Sequence, residues 1–158
     1  MSSPTPTAAQ GEIVFPGNLR ANPRLSQWLG FQPEGAVALS PGKVEIGQGI
    51  LTALAQIAAD ELDVEIARIR FIPASTATSP NEGVTSGSLS IQDCGLAFRH
   101  VCAEARALFL AAAADRLGVA TEALDIADGT ISGPGNARTS YWELASVVSL
   151  DRDATCRP

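Results

Sequence analysis

Ile50, Leu51, Leu54, Ile57, Ala58 and Leu62 recur at the spacing of one helix face, which predicts an amphipathic helix from about Ile50 to Leu62, ended by Asp63-Val64. A second stripe, Phe98, Val101, Cys102, Ala105, Leu108, Phe109 and Ala112, predicts a longer, buried helix from about Leu89 to Leu117, capped by Gly118. Between them the period changes. Ala67 to Pro73 alternates as a strand does, with Ile69 and Phe71 on one side and Arg68, Arg70 and Ile72 on the other. Upstream, Leu25, Trp28 and Leu29 predict a short helical turn and Pro33-Glu34-Gly35 a turn into a strand from Ala36 to Ser40. Pro41-Gly42 then starts a strand from Lys43 to Ile46, and these two strands are expected to form a hairpin. Downstream, Thr121 to Leu124 forms a turn, Leu124 to Gly133 reads as a small hairpin around Asp128-Gly129, and Ser140-Tyr141-Trp142-Glu143 has capping-box form before a last short helix through about Val147. The order β-β-α-β-α-β-β-α predicts an α+β domain, two layers deep, with two main helices on one face of a mixed sheet.

Residues 1–24 carry Pro4, Pro6, Pro16 and Pro23 among small and polar residues, as in an extended arm lying on another surface, with Ile13-Val14-Phe15 as its docking strand. Residues 25–150 then form the folded module and 151–158 a tail. A hydrophobic fraction of 46% over 158 residues suits one domain with a real core. The net charge of −6, without a Lys or Arg cluster, argues against nucleic-acid binding, though backbone amides can still hold a local anion. Cys94, Cys102 and Cys156 have neither metal-site spacing nor a disulfide framework, which points to a reducing compartment, the cytoplasm. Met1 to Gln10 lacks the basic start and apolar core of a signal peptide, and no apolar run approaches the ~20 residues that span a bilayer.

Two loops stand out, each directly before a predicted helix: Gly47-Gln48-Gly49 and Thr85-Ser86-Gly87-Ser88. Glycines let the backbone approach a ligand, and a helix start offers amides with partial positive charge, so an anionic group such as a phosphate fits both. The Gln48 carboxamide, donor and acceptor together, can read a heterocycle edge or an oxo group. A plain strand-to-helix turn accounts for the first loop equally well, and an N-cap with a flexible linker is the simpler reading of the second. The second loop belongs to a long hydroxyl-rich stretch, Ala74 to Ser90, that includes Ser75, Thr76, Thr78, Ser79 and Ser90 and has Glu82 as its lone charge. Loops of such length inside a compact domain are usually functional or disordered. Glu82 is expected either near a bound ligand or simply solvated. Thr52 stands where a third dinucleotide-fold glycine belongs, and Val44 follows Gly42-Lys43 where a P-loop has Ser or Thr. His100 has no nucleophile in fixed relation to it, Cys94 and Cys102 read as small core residues, and Asp60, Glu61 and Asp63 read as a solvated helix end.

The stretch from Gly42 to Ala58, then Glu61-Leu62-Asp63-Val64, then Thr78 to Ser88, resembles the molybdenum-binding large subunit of the xanthine oxidase/aldehyde oxidase family, most of all its isoquinoline 1-oxidoreductase and nicotinate dehydrogenase type. The likeness covers roughly residues 15–150. It implies that Gly47, Gln48 and Gly49 contact a molybdopterin dinucleotide, with cytosine as the bacterial base, and that Thr85, Ser86, Gly87, Ser88 and Ser90 hold its pyrophosphate and pterin. Family members hydroxylate an aldehyde or N-heteroaromatic carbon with water, and electrons leave through iron–sulfur clusters on other domains or subunits. Family subunits are several times longer, and neither the Gly-Glu-containing motif with the catalytic glutamate nor the Gly-Gly-Phe-Gly type loop has a match here. The chain is therefore expected to need the remaining lobes and an iron–sulfur subunit, to be inactive alone, and to self-associate through its uncovered apolar face. A non-catalytic module that folds without cofactor is the alternative.

Overall fold

The computed structural model describes residues 15–155. Phe15 starts the described chain, so most of the expected docking strand, like Cys156, lies outside it. Instead of an extended arm, Gly17–Ala21 forms a short helix, α1, that buries Leu19. A single turn at Leu25–Gln27 follows, and then the first departure of consequence. The hairpin partner of Ala36–Leu39 (β2) is Leu29–Gln32 (β1), not the segment Lys43 to Ile46, which is irregular. Pro33-Glu34-Gly35 is therefore the hairpin turn, with Gly35 at φ 84° donating its amide to Gln32. Ile69–Phe71 (β3) pairs parallel to β2, and Ile50–Leu62 (α2) forms the crossover between them. Asp125–Ala127, Thr130–Ser132 and Arg138–Ser140 (β4, β5, β6) form a second, wholly antiparallel sheet. The predicted α+β class holds, with the strands divided between two small sheets.

Both long helices run where their stripes place them. Gly49 (φ 76°) and Asp63 (φ 51°) bound α2 in left-handed conformation. Leu96–Leu117 (α3) is led in by a π-helical turn at Ser90–Gly95 and ended by Gly118 at φ 67°. Leu54, Ala58 and Leu62 of α2 and Phe98, Val101, Cys102, Ala105 and Phe109 of α3 are fully buried in one core with Trp28, Val37 and Leu39. Trp28 meets Phe98 edge-on at 5.4 Å and donates its indole N–H to Asn22 O at 2.9 Å, so its one polar atom is satisfied inside. Phe31, Phe109 and Tyr141 cluster at 4.5–5.0 Å, and the Tyr141 hydroxyl donates to Leu62 O at 2.9 Å. Arg68 binds both oxygens of Asp128 and lies 4.5 Å over the Trp142 ring, tying the start of β3 to the second sheet.

The last helix, Tyr141–Leu144 (α4), shows half a capping box. Ser140 accepts from the Glu143 amide at 3.2 Å, while the Glu143 carboxylate takes the Thr139 hydroxyl instead of reaching back. The predicted solvated helix end is paired across to α3, Glu61 with Arg99 and Asp63 with Arg106. The stretch after Leu150 is stitched in. Arg24 and Asp153 form an antiparallel bridge, Ala154 donates to Pro23 O at 2.7 Å, and buried Glu104 of α3 takes the Thr155 amide and hydroxyl at 2.8–2.9 Å.

Candidate functional site

Lys43 explains why the expected strand at Lys43 to Ile46 does not form. Its side chain turns inward and its ammonium donates to Glu82 O at 2.7 Å and Val84 O at 2.9 Å, with only 2% of the residue exposed. One residue later the Val44 amide donates to Thr85 Oγ1 at 3.0 Å, and the Gly42 amide donates to Glu82 Oε2 at 2.7 Å. Three consecutive residues thus bind the Glu82 to Thr85 segment instead of β2. Gly42 is fixed by packing: a Cβ there would lie 2.2 Å from Pro80 O.

Glu82 is not solvated, and it borders the cavity beside the loops. It is 7% exposed, accepts from Asn18 Nδ2 as well as Gly42, and lies against the Cys94 thiol. Burial, reinforced by the Glu82 charge, pushes the Cys94 thiol far above its ordinary range. Cys102, also reduced and buried, is raised for the same first cause. The signal for this buried anion was slight: a single carboxylate among hydroxyls, forty residues from the glycine it binds.

The turn before α2 closes on itself. Glu45 Oε1 accepts from Gly47 and Gly49 at 2.8 and 2.9 Å, and Oε2 accepts from Leu51 at 3.2 Å. These amides, Gly49 foremost, hold the Glu45 carboxyl below the usual carboxylate range. Gln48 folds back, its Nε2 donating to Val44 O at 2.9 Å and its Oε1 accepting from Ile46 at 2.6 Å. Gly47, Gln48 and Gly49 are all exposed, and Cβ atoms at the two glycines would meet open space. Only their left-handed φ, 96° and 76°, demands glycine.

The second loop is open. Gly83 and Gly87 (φ 65° each) and Ser88 (φ 58°) bend the backbone left-handed, and Ser86, Gly87 and Ser88 are exposed. Among the described residues the hydroxyls of Ser86, Ser88 and Ser90 have no partner, and the Thr85 hydroxyl, an acceptor to Val44, keeps its own proton to donate. Ser90 starts the π-helical turn. Thr85 ties the second loop to Val44, three residues before the first. Beside them a cavity of about 350 Å³ is lined by Gly42, Val44, Ser75, Thr76, Ser79 and Asn81 among others. Around both loops Val44, Ile46, Val84, Leu89 and Ile91 are 41–77% exposed, more apolar surface than a solvated edge needs. His100 lies half-buried on α3.

The site is a βαβ unit whose glycine turn follows a segment, Gly42 to Val44, pinned to the loop that carries the unpartnered hydroxyls. The chain belongs to the molybdopterin cofactor-binding domain family, which it matches over residues 8–155, and so the resemblance to molybdenum enzymes of the xanthine oxidase type is borne out. It is similar to a nicotinate dehydrogenase subunit of Pseudomonas putida, with 36% identity over 120 residues, 76% of this chain and 10% of that protein. Aldehyde oxidase 4 of Mus musculus is 38% identical over 69 residues, 44% of this chain and 5% of its own length. Among solved structures, CO dehydrogenase from Oligotropha carboxidovorans superposes with a TM-score of 0.65 at 26% identity, over 80% of this chain and 16% of that one. The chain thus spans about a tenth of the length of its nicotinate dehydrogenase relative. Among the described residues no helix is long and apolar enough to cross a membrane.

Proposed function

We propose that this chain supplies one wall of the cofactor site of a molybdenum hydroxylase, an oxidoreductase that hydroxylates an aldehyde or N-heteroaromatic carbon with water. Molybdopterin, as its cytosine dinucleotide, would meet Gln48 between Gly47 and Gly49 on one side and Thr85, Ser86, Gly87, Ser88 and Ser90 on the other. The observation that carries this reading is the pair of exposed hydroxyls, Ser86 and Ser88, without partners among the described residues, on a loop that buried Lys43 ties to the chain just before the glycine turn. Bound there, the cofactor would supply the oxygen-transfer and two-electron chemistry. The chain's own residues bind and orient. Ser86, Ser88 and Ser90 can each donate one hydrogen bond to a phosphate or pterin oxygen, and the Gln48 carboxamide retains a second N–H and a second lone pair beyond those it spends on the turn.

The remaining lobes, and an iron–sulfur subunit that takes the electrons, complete the enzyme. The apolar rim from Val44 to Ile91 supports such a covering. A reducing cytoplasm suits the buried thiols Cys94 and Cys102. Metal and pterin analysis of the protein purified with the remaining lobes tests the reading. Gln48→Ala and Ser86→Ala/Ser88→Ala are expected to lower molybdenum and pterin content while leaving the module folded, and full occupancy in both variants would refute the assignment. The chain alone is expected to turn over neither aldehydes nor N-heterocycles.

A further inference from the structure

The amides that an incoming anion would use at the start of α2 already have an acceptor. Gly47, Gly49 and Leu51 donate to the two oxygens of Glu45, and the Ile46 amide donates to Gln48 Oε1, so the turn satisfies its own donors from within. The nearest cation along the chain does not offset the Glu45 charge. Lys43, two residues away, is turned inward onto the carbonyls of Glu82 and Val84. A phosphate brought to this turn would face a carboxylate of like charge over amides it cannot reach. The loop from Thr85 to Ser88 is the opposite case: Ser86, Gly87 and Ser88 are exposed, the Ser86 and Ser88 hydroxyls have no partner among the described residues, and the loop has no acidic side chain.

We propose that Glu45 is a positioning residue that closes the α2 N-terminus to external anions. The phosphates of a bound dinucleotide are then recognised at Thr85, Ser86, Gly87 and Ser88, while the Gly47-Gln48-Gly49 turn presents its Gln48 carboxamide alone. The assignment of the phosphates to a cofactor rests on the molybdopterin reading, whereas the closing of the turn by Glu45 does not.

The test is an amide-resolved NMR titration of the chain with inorganic pyrophosphate, for wild type, Glu45→Gln and Glu45→Ala. In wild type the Ser86, Gly87 and Ser88 amides are expected to shift and those of Gly47, Gly49 and Leu51 to stay still. In both variants the second set is expected to respond, binding pyrophosphate about tenfold or more tighter than in wild type. A Glu45 that only braces the fold would leave Glu45→Gln, which keeps one acceptor oxygen, with the wild-type response. Using two variants keeps the result readable should one of them not fold. Equal shifts at Gly47, Gly49 and Leu51 in all three proteins, or none in any, would overturn the proposal, and so would silence of Ser86 to Ser88 throughout. Loss of the molybdopterin reading would show elsewhere, in unchanged metal content after Gln48→Ala, and would leave the Glu45 titration standing.

Discussion

Replacing Lys43 by Met tests whether the two loops are held together by one buried cation. Methionine keeps most of the stem and removes the ammonium, orphaning Glu82 O and Val84 O. Each hydrogen bond to a charged group is worth ~1.5–3 kcal/mol, and the two together reach ~3–6 kcal/mol. Part of that is recovered because no ammonium then needs to be desolvated. A loss near ~3 kcal/mol, the lower end of that range, is the working figure. With Lys43 at 2% and Glu82 at 7% exposure, water does not replace the missing donor. Urea unfolding followed by circular dichroism measures the loss, and a fall in Tm of roughly 10 °C accompanies it. Hydrogen exchange separates local from global effects: the Val44 amide, which donates to Thr85 Oγ1, is expected to open well before the amides of α3. A loss below about 1 kcal/mol together with undiminished Val44 protection would refute the clasp.

Gly42→Ala is expected to cost about 2 kcal/mol or more and to loosen Pro80 to Ser88, because the new Cβ meets a carbonyl at 2.2 Å; a wild-type melting curve would sink this. Stability should fall as pH rises past about 8.5, where the unfolded thiols ionise while buried Cys94 and Cys102 stay protonated, and again past about 10 for Tyr141, whose hydroxyl burial pushes up. All three folded values are raised, so their contribution is complete below the unfolded values. Cys102→Ala should flatten the first decline, and an unchanged pH profile would contradict the assignment. Light scattering of the chain alone is expected to show self-association through the rim of Val44, Ile46, Val84, Leu89 and Ile91, which Ile46→Ser/Val84→Ser should weaken; a monodisperse wild-type monomer would argue against that.

Elements governed by near neighbours were legible in the sequence. The α2 limits followed from its stripe and from residues that end a helix in left-handed conformation, and the Asp128-Gly129 turn (φ 48° and 73°) joins β4 to β5 as its dipeptide predicts. What escaped was decided at a distance. Lys43 to Ile46 has the composition of a strand, yet the Lys43 side chain and the Val44 amide are claimed by a segment about forty residues on. Leu29–Gln32 looked like the end of a helical turn because its strand character comes from β2 opposite. The site was half visible. Glycines and hydroxyls marked both loops, but sequence could not show that Glu45 would fill the amide nest, since that depends on how the turn folds back.

The bridge between Arg24 and Asp153, with Ala154 on Pro23, holds the two ends of the segment 23–154 side by side. Such a unit behaves as a cassette. A host polypeptide can carry it at a loop, or have it moved to a different position in the gene order of its lobes, at the cost of closing one short connection and without disturbing either core.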